Sequence, residues 1–164
     1  APADAQSLIT YLKTQGFDES QMMEAGLARK NDAGRIYSFF RDRAIFPVSD
    51  KRGRVVAFGA RLMAGDGPKY INSPDHPLFH KGQLLYSLSR AREAAPKGHP
   101  VIVSEGYMDV IRLIEGGFLA AVAPLGTALT EEQMQEVWRL GIEGGHPILC
   151  FDGDNIIHII LFFI

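Results

Sequence analysis

The sequence predicts an α+β segment over residues 1–97, followed from residue 98 by an α/β segment whose parallel strands are flanked by helices. Two observations predict this division. In the first segment short helical patterns precede a β-rich hairpin, the order of an α+β unit. In the second, apolar runs and amphipathic helical patterns alternate as strand, helix, strand, helix, strand. That order implies parallel strands joined by right-handed crossovers. The composition can supply a core: of 164 residues, 46% are apolar and 22% charged, as in ordinary globular chains of one compact unit or two small ones.

In chain order, Leu8, Ile9 and Leu12 stand at helical spacing, and Gly16 ends that helix. Asp18 and Gln21 form a capping box for a second helix through Met22 and Met23, which stops near Gly26. A third helical stretch is expected from Ala33 to Phe40. Ile45 to Val48 and Val55 to Phe58 are β-rich runs separated by a polar loop ending in Gly53, which reads as a hairpin. Gly65 to Gly82 is rich in Gly, Pro, Asp, Asn and His and is expected to be mostly loop. Gly53, Gly59 and Gly126 are expected at tight turns or close backbone approaches. Phe46, Pro47, Phe58 and Phe79 read as core or loop anchors.

The second segment opens after a Pro/Gly/Lys linker. Val101 to Ser104 reads as a buried strand closed by Glu105-Gly106, and Met108, Val110, Ile111, Leu113 and Ile114 give a helix that stops at Gly116-Gly117. Ala120 to Val122 is the next strand. Thr130 and Gln133 make a second capping box, opening a helix through Met134, Val137, Trp138 and Leu140, with Trp138 expected in the core. Pro147 to Phe151 is the third strand. Residues 155–164 form an apolar tail, far short of the roughly 20 residues a membrane-spanning helix needs.

Cys150, the single cysteine, cannot form an internal disulfide, which suits a reducing cytoplasm, and its apolar neighbours predict a core position. The opening Ala1-Pro2-Ala3-Asp4 has none of the features of a secretory signal and reads as the interior of a longer protein. The net charge is −2, but its distribution is uneven. Nine Lys/Arg face three acids between Arg29 and Arg61, whereas nine acids face two Arg between Ile102 and Asp154. One surface suited to a polyanion and another suited to cations would account for this, as would two unrelated solvated faces.

In open parallel sheets, sites form beyond the carboxyl ends of the strands. Glu105 falls at the end of the first predicted strand, and Asp152 and Asp154 at the end of the third. Carboxylates gathered on one edge repel each other until a hard divalent cation neutralises them, so this pattern points to Mg²⁺; a cap or turn role for the two Asp is the alternative. Asp109 stands early in the following helix, as a further ligand or as a complement to the helix dipole. The five histidines show no zinc-ligand spacing with Cys150, and no zinc is expected.

Glu105-Gly-Tyr-Met-Asp-Val110, Leu125-Gly-Thr-Ala-Leu-Thr130-Glu-Glu-Gln133 and Ile148-Leu-Cys-Phe-Asp-Gly-Asp154 together resemble the Toprim domain of bacterial DnaG-type primases. Arg41-Asp-Arg-Ala-Ile-Phe-Pro47, Gly53-Arg-Val-Val-Ala-Phe-Gly59-Ala-Arg61, Lys69-Tyr-Ile-Asn-Ser-Pro74, Phe79-His-Lys-Gly82 and Leu85-Tyr86 resemble the basic N-terminal subdomain of the same family. The resemblance runs from Tyr11 to Asp154 in the family's order. It implies a basic subdomain over 1–97 and the first part of a Toprim domain over 98–154, a Rossmann-like parallel sheet incomplete at its C-terminus.

The resemblance also implies an activity: a DNA-directed RNA polymerase that makes short RNA primers on single-stranded DNA for replication. Glu105, Asp109, Asp152 and Asp154 would bind Mg²⁺ or Mn²⁺, with Glu105, Asp152 and Asp154 catalytic. Arg41, Arg43, Arg61, Lys69 and Lys81 would hold template and nucleotide phosphates, and Tyr70 and Asn72 would add stacking or hydrogen bonds. Ribonucleoside triphosphates and the RNA primer are the other partners, with no membrane involved. The family's zinc-binding domain, later Asp-Pro-Asp element, helical third subdomain and helicase-binding domain are not among these residues. A single-stranded-DNA-binding fragment without catalysis is therefore the main rival reading. A Toprim nuclease or topoisomerase is the other, but those classes lack the Lys-Tyr-Ile-Asn-Ser-Pro stretch.

Overall fold

A computed structural model describes residues 1–126, 129–141 and 146–151. Asp152, Asp154 and the apolar tail lie outside the described residues. The chain divides into two compact units, one formed by Ala1–Pro47 with Val56–Phe79 and the other by Val48–Val55 with His80–Ile164.

The first unit begins with helices α1 (Ser7–Thr14) and α2 (Glu19–Glu24). The capping box forms as expected: the Gln21 amide donates to Asp18 Oδ1 at 2.8 Å, and the Asp18 amide donates to Gln21 Oε1 at 2.9 Å. Residues 33–40, however, are not helical. Strands β1 (Ala28–Lys30) and β2 (Ile36–Ser38) pair antiparallel, with Arg29 opposite Tyr37. The turn chemistry of Asn31-Asp-Ala-Gly34 outweighs the helical pattern. Asn31 Oδ1 accepts from the Arg35 amide at 2.9 Å, and Gly34 takes φ +74°, which a glycine adopts without strain. The pleat then buries Ala28 and Ile36 against Ile9 and Met22 from the two helices.

Strands β3 (Arg43–Ser49), β4 (Val55–Leu62) and β5 (Tyr70–Asn72) make a three-stranded sheet in that order. The β3–β4 hairpin was expected; β5 lies inside the stretch expected to be loop. Backbone pairing of a short polar segment holds β5 in place, with Ala60 opposite Ile71 and the Leu62 amide donating to Lys69 O at 2.8 Å. At the β3–β4 tip the Asp50 carboxylate accepts from the amides of Arg52 and Arg54. Gly53 turns the chain there with φ +81°. Phe79 is fully buried, while Phe46 and Phe58 are half-buried and Pro47 is exposed.

The second unit is built on β6 (Leu85–Tyr86), β7 (Ile102–Ser104), β8 (Ala121–Pro124) and β9 (Ile148–Cys150), in the order β6-β8-β7-β9. β7, β8 and β9 run parallel and β6 is antiparallel to β8. Neither β6 nor helix α3 (Leu88–Ala94) was expected, because a two-residue strand carries no periodicity to read. Helices α4 (Tyr107–Glu115) and α5 (Glu131–Gly141) are the crossovers.

Alternate strand residues supply the two faces of the sheet. Val103 and Val122 pack with Leu88, Ala91, Val137 and Leu140, whereas Ile102, Ala121 and Ala123 pack with Val110. Each such fully buried Val is worth roughly 1.5–3 kcal/mol over an exposed one. Cys150 is exposed, contrary to the core position expected. The register sets Ile148 beside Ile102 and Cys150 beside Ser104, facing the side of α4, but α4 packs over β7 and β8 and β9 lies beyond β7. Trp138 is also not core, at 39% exposure, because the buried stripe of α5 centres on Gln133, Val137 and Leu140 and Trp138 falls at its margin.

Candidate nucleic-acid interface and acidic edge

In the first unit, the β4–β5 register sets Arg61 opposite Tyr70 and Gly59 opposite Asn72. Residues two apart share a sheet face, so Arg61, Tyr70 and Asn72 stand on the same side. Lys69 is exposed and its Nζ lies 5.9 Å from the centre of the Tyr70 ring. A cation and an exposed aromatic side by side can meet a phosphate and stack on a base.

Arg41 and Arg43 are sent to different tasks. Asp42 between them adopts φ +52°, a left-handed conformation that Asp tolerates better than most residues. Arg41 is exposed, its guanidinium 5.2 Å from the centre of the Tyr37 ring. Arg43 is only 8% exposed and its Nη1 donates to Pro68 O at 2.9 Å, fastening the segment that leads into Lys69 and Tyr70.

In the second unit, Lys81 is exposed while its carbonyl accepts from Gln133 Nε2 at 2.9 Å. Gln133 also donates to Leu84 O at 2.8 Å, and its Oε1 accepts from the Thr130 amide at 3.0 Å. The expected Thr130/Gln133 box therefore forms and doubles as a clasp on residues 81–84.

Glu105 is half-buried and immediately follows β7. Asp109 is exposed on the first turn of α4, and its Oδ2 accepts from the Gly106 amide at 3.1 Å, so one of its oxygens caps the helix. Tyr107 is buried at the start of α4 and packs edge-on against Tyr86, ring centres 4.8 Å apart. Burial pushes the Tyr86 phenol above the usual tyrosine value, against an opposing pull from Arg90. The parallel register of β7 and β9 ends with Ser104 beside Cys150, so both strands deliver their succeeding residues to the same edge. With β8 on one side of β7 and β9 on the other, that edge is a topological switch point, the usual place for a site in such sheets. Among the described residues no group of three or more His, Cys, Asp or Glu is assembled.

The motifs that suggested this layout also match a family over more than half of the chain: residues 1–92 match the N-terminal domain of the DNA primase catalytic core. The chain belongs to the DNA primase catalytic-core family. Residues 99–155 match the Toprim domain. The chain is 44% identical over 156 residues to a DNA primase of Pseudomonas putida, covering 94% of this chain and 23% of that protein. To the DNA primase of Deinococcus radiodurans it is 45% identical, with 94% and 27% covered. The chain thus spans about a quarter of the length of these curated relatives.

Among solved structures, a DNA primase domain from Pseudomonas aeruginosa superposes with a TM-score of 0.83 at 44% identity, covering 99% of this chain and 50% of that one. A DnaG primase catalytic domain bound to single-stranded DNA gives 0.80 at 40% identity, covering 95% and 49%. The fold is therefore that of the primase catalytic core, with an α+β first part and a Toprim sheet of parallel strands, and the chain covers about half of those structures.

Sequence reasoning missed Arg29, Tyr37 and Phe39, whose rings and guanidinium share the outer face of the β1–β2 hairpin. Their signal was present: Arg35, Tyr37 and Phe39 recur with a period of two, the strand period, inside the stretch read as helix, and Arg41 continues it.

Proposed function

We propose that this chain is the template-handling and metal-binding portion of a DNA primase, a DNA-directed RNA polymerase that joins ribonucleotides on single-stranded DNA. The observation that carries the reading is the parallel β7–β9 register, which ends both strands at one edge, in a chain that belongs to the primase core family. Residues 1–97 hold template and nucleotide phosphates through Arg41, Arg61 and Lys69, with Tyr70 and Asn72 beside them and Arg43 fixing the loop before β5. Lys81, in the same segment, contributes to the same polyanion-binding task, and residues 98–154 carry the chemistry.

Glu105, Asp109, Asp152 and Asp154 would hold Mg²⁺ or Mn²⁺. The donors are all hard carboxylate oxygens, which fits such ions and not a thiolate-loving metal. When bound, the ion would offset the negative charge of the phosphates and polarise the attacking hydroxyl. The reaction proposed is attack of the primer 3′-hydroxyl on the α-phosphorus of the next ribonucleoside triphosphate. A P–O ester forms, the α–β anhydride bond breaks, the hydroxyl loses its proton and pyrophosphate leaves. The basic residues orient template and nucleotide, so most of the protein's contribution is alignment and electrostatics.

The test is incorporation of labelled ribonucleotides on a single-stranded template with Mg²⁺ or Mn²⁺, comparing this chain with its Glu105→Gln variant. Incorporation by the chain, lost by about a hundredfold or more in the variant, is the expected result. Template binding with no incorporation by either would reduce the chain to a binding fragment.

A further inference from the structure

We infer that the outer face of the β1–β2 hairpin is a second stacking track for single-stranded DNA, formed by Arg29, Tyr37 and Phe39 and leading to Arg41. This rests on the reading of the chain as part of a primase that handles a single-stranded template. The pleat decides which residues face out. Ala28, Ile36 and Ser38 are buried on the inner face, so Arg29 and its cross-strand partner Tyr37 stand on the other. Phe39 follows two residues after Tyr37, and Arg41 two after that.

The cations and rings interleave. The Arg29 guanidinium lies 4.4 Å from the centre of the Phe39 ring, and that of Arg41 lies 5.2 Å from the centre of Tyr37. Arg29, Arg35 and Arg41 are exposed, and Tyr37 and Phe39 are half-buried. Among the described residues, Arg54, Arg112 and Arg139 are ion-paired to carboxylates, whereas the partners of Arg29 and Arg41 there are rings. Stacking leaves a guanidinium's N–H edge available for phosphate oxygens.

Between Arg29 and Arg43 there are five cations and two acids, so the segment is complementary to a polyanion. A duplex hides its base faces, whereas a single strand offers both phosphates and rings, which this alternation of cation and aromatic matches. The occupant assigned is therefore single-stranded DNA.

The experiment measures binding of the 164-residue chain to a fluorescently labelled oligothymidylate by anisotropy at several salt concentrations. Circular dichroism checks that each variant folds. Tyr37→Leu should weaken binding about tenfold, while Tyr37→Trp, which keeps a stacking surface, should bind as the parent does. Arg29→Gln should lower the steepness of log K against log salt by about one. Should folded Tyr37→Leu and Arg29→Gln bind like the parent while Arg61→Gln loses affinity, the hairpin is not on the DNA path and the primase reading stands. Absence of binding by the parent chain would overturn both.

Discussion

At the scale of single residues, burial and pairing decide which charges are available for a ligand. Glu136 is the clearest case of one that is not: it is only 4% exposed and holds Lys51 Nζ at 2.7 Å and the Arg139 guanidinium, with Arg92 at 3.9 Å. One carboxylate thus gathers the β3–β4 tip, α3 and α5 of the second unit. Glu136→Gln keeps the volume and removes the charge that three cations share. It should destabilise the chain by about 1–3 kcal/mol in urea unfolding. Lys51→Met should cost less than about 1 kcal/mol, because Lys51 is 44% exposed and its charge is screened. None of this was legible in the sequence, where Lys51 and Glu136 are distant charges in unrelated motifs. Arg43 makes the same point: its motif predicts a phosphate contact, and its burial and its bond to Pro68, which the sequence does not reveal, add a fastening role.

At the scale of elements, the local chemistry of caps and turns was the most dependable guide. Both capping boxes, Asp18/Gln21 and Thr130/Gln133, form where the spacing of polar residues placed them, because they require only neighbours in sequence. Strands β5 and β6 were not legible, since segments of two or three residues become strands only when a longer partner lends them a ladder. Residues 33–40, which include β2, were expected to be helical although the turn residues before them were in plain sight. Gln133 shows how a cap acquires a tertiary duty: its side chain closes α5 and also bonds the carbonyls of Lys81 and Leu84. Gln133→Leu fits the same space but leaves three backbone groups without this partner. We expect a loss of about 2–3 kcal/mol in unfolding free energy and faster hydrogen exchange at the α5 N-terminus.

For the molecule as a whole, the uneven charge seen in the sequence has a structural counterpart in each unit. The basic half carries Arg61, Lys69 and Tyr70 close together on and beside one small sheet, and the acidic half ends its parallel strands at one switch-point edge. The alternation of strands and helices, the parallel strands and the place of Glu105 after the first of them were legible because a β-α-β alternation leaves few topologies open. The order of the strands in the sheet, with β9 at its edge among the described residues, was not, and with it went the exposure of Cys150. If the acidic edge binds a cation, Mg²⁺ must stabilise the folded chain. Thermal unfolding should shift upward as Mg²⁺ is added, by the equivalent of about 2.7 kcal/mol at a hundredfold excess over the dissociation constant. In Glu105→Gln the shift should shrink to a small fraction of that. A shift unchanged in the variant would place the cation elsewhere.

The pairing of β7 with β9 also carries a lesson about timing. Ile102 meets Ile148 across 46 positions of chain, with a complete strand and two helices in between. Such a pairing waits for the intervening crossover, so it belongs to the late steps of folding, while the hairpins of the basic unit close over a few residues. As the chain emerges during synthesis, the local hairpins of the basic unit can therefore close before β7 and β9 are paired.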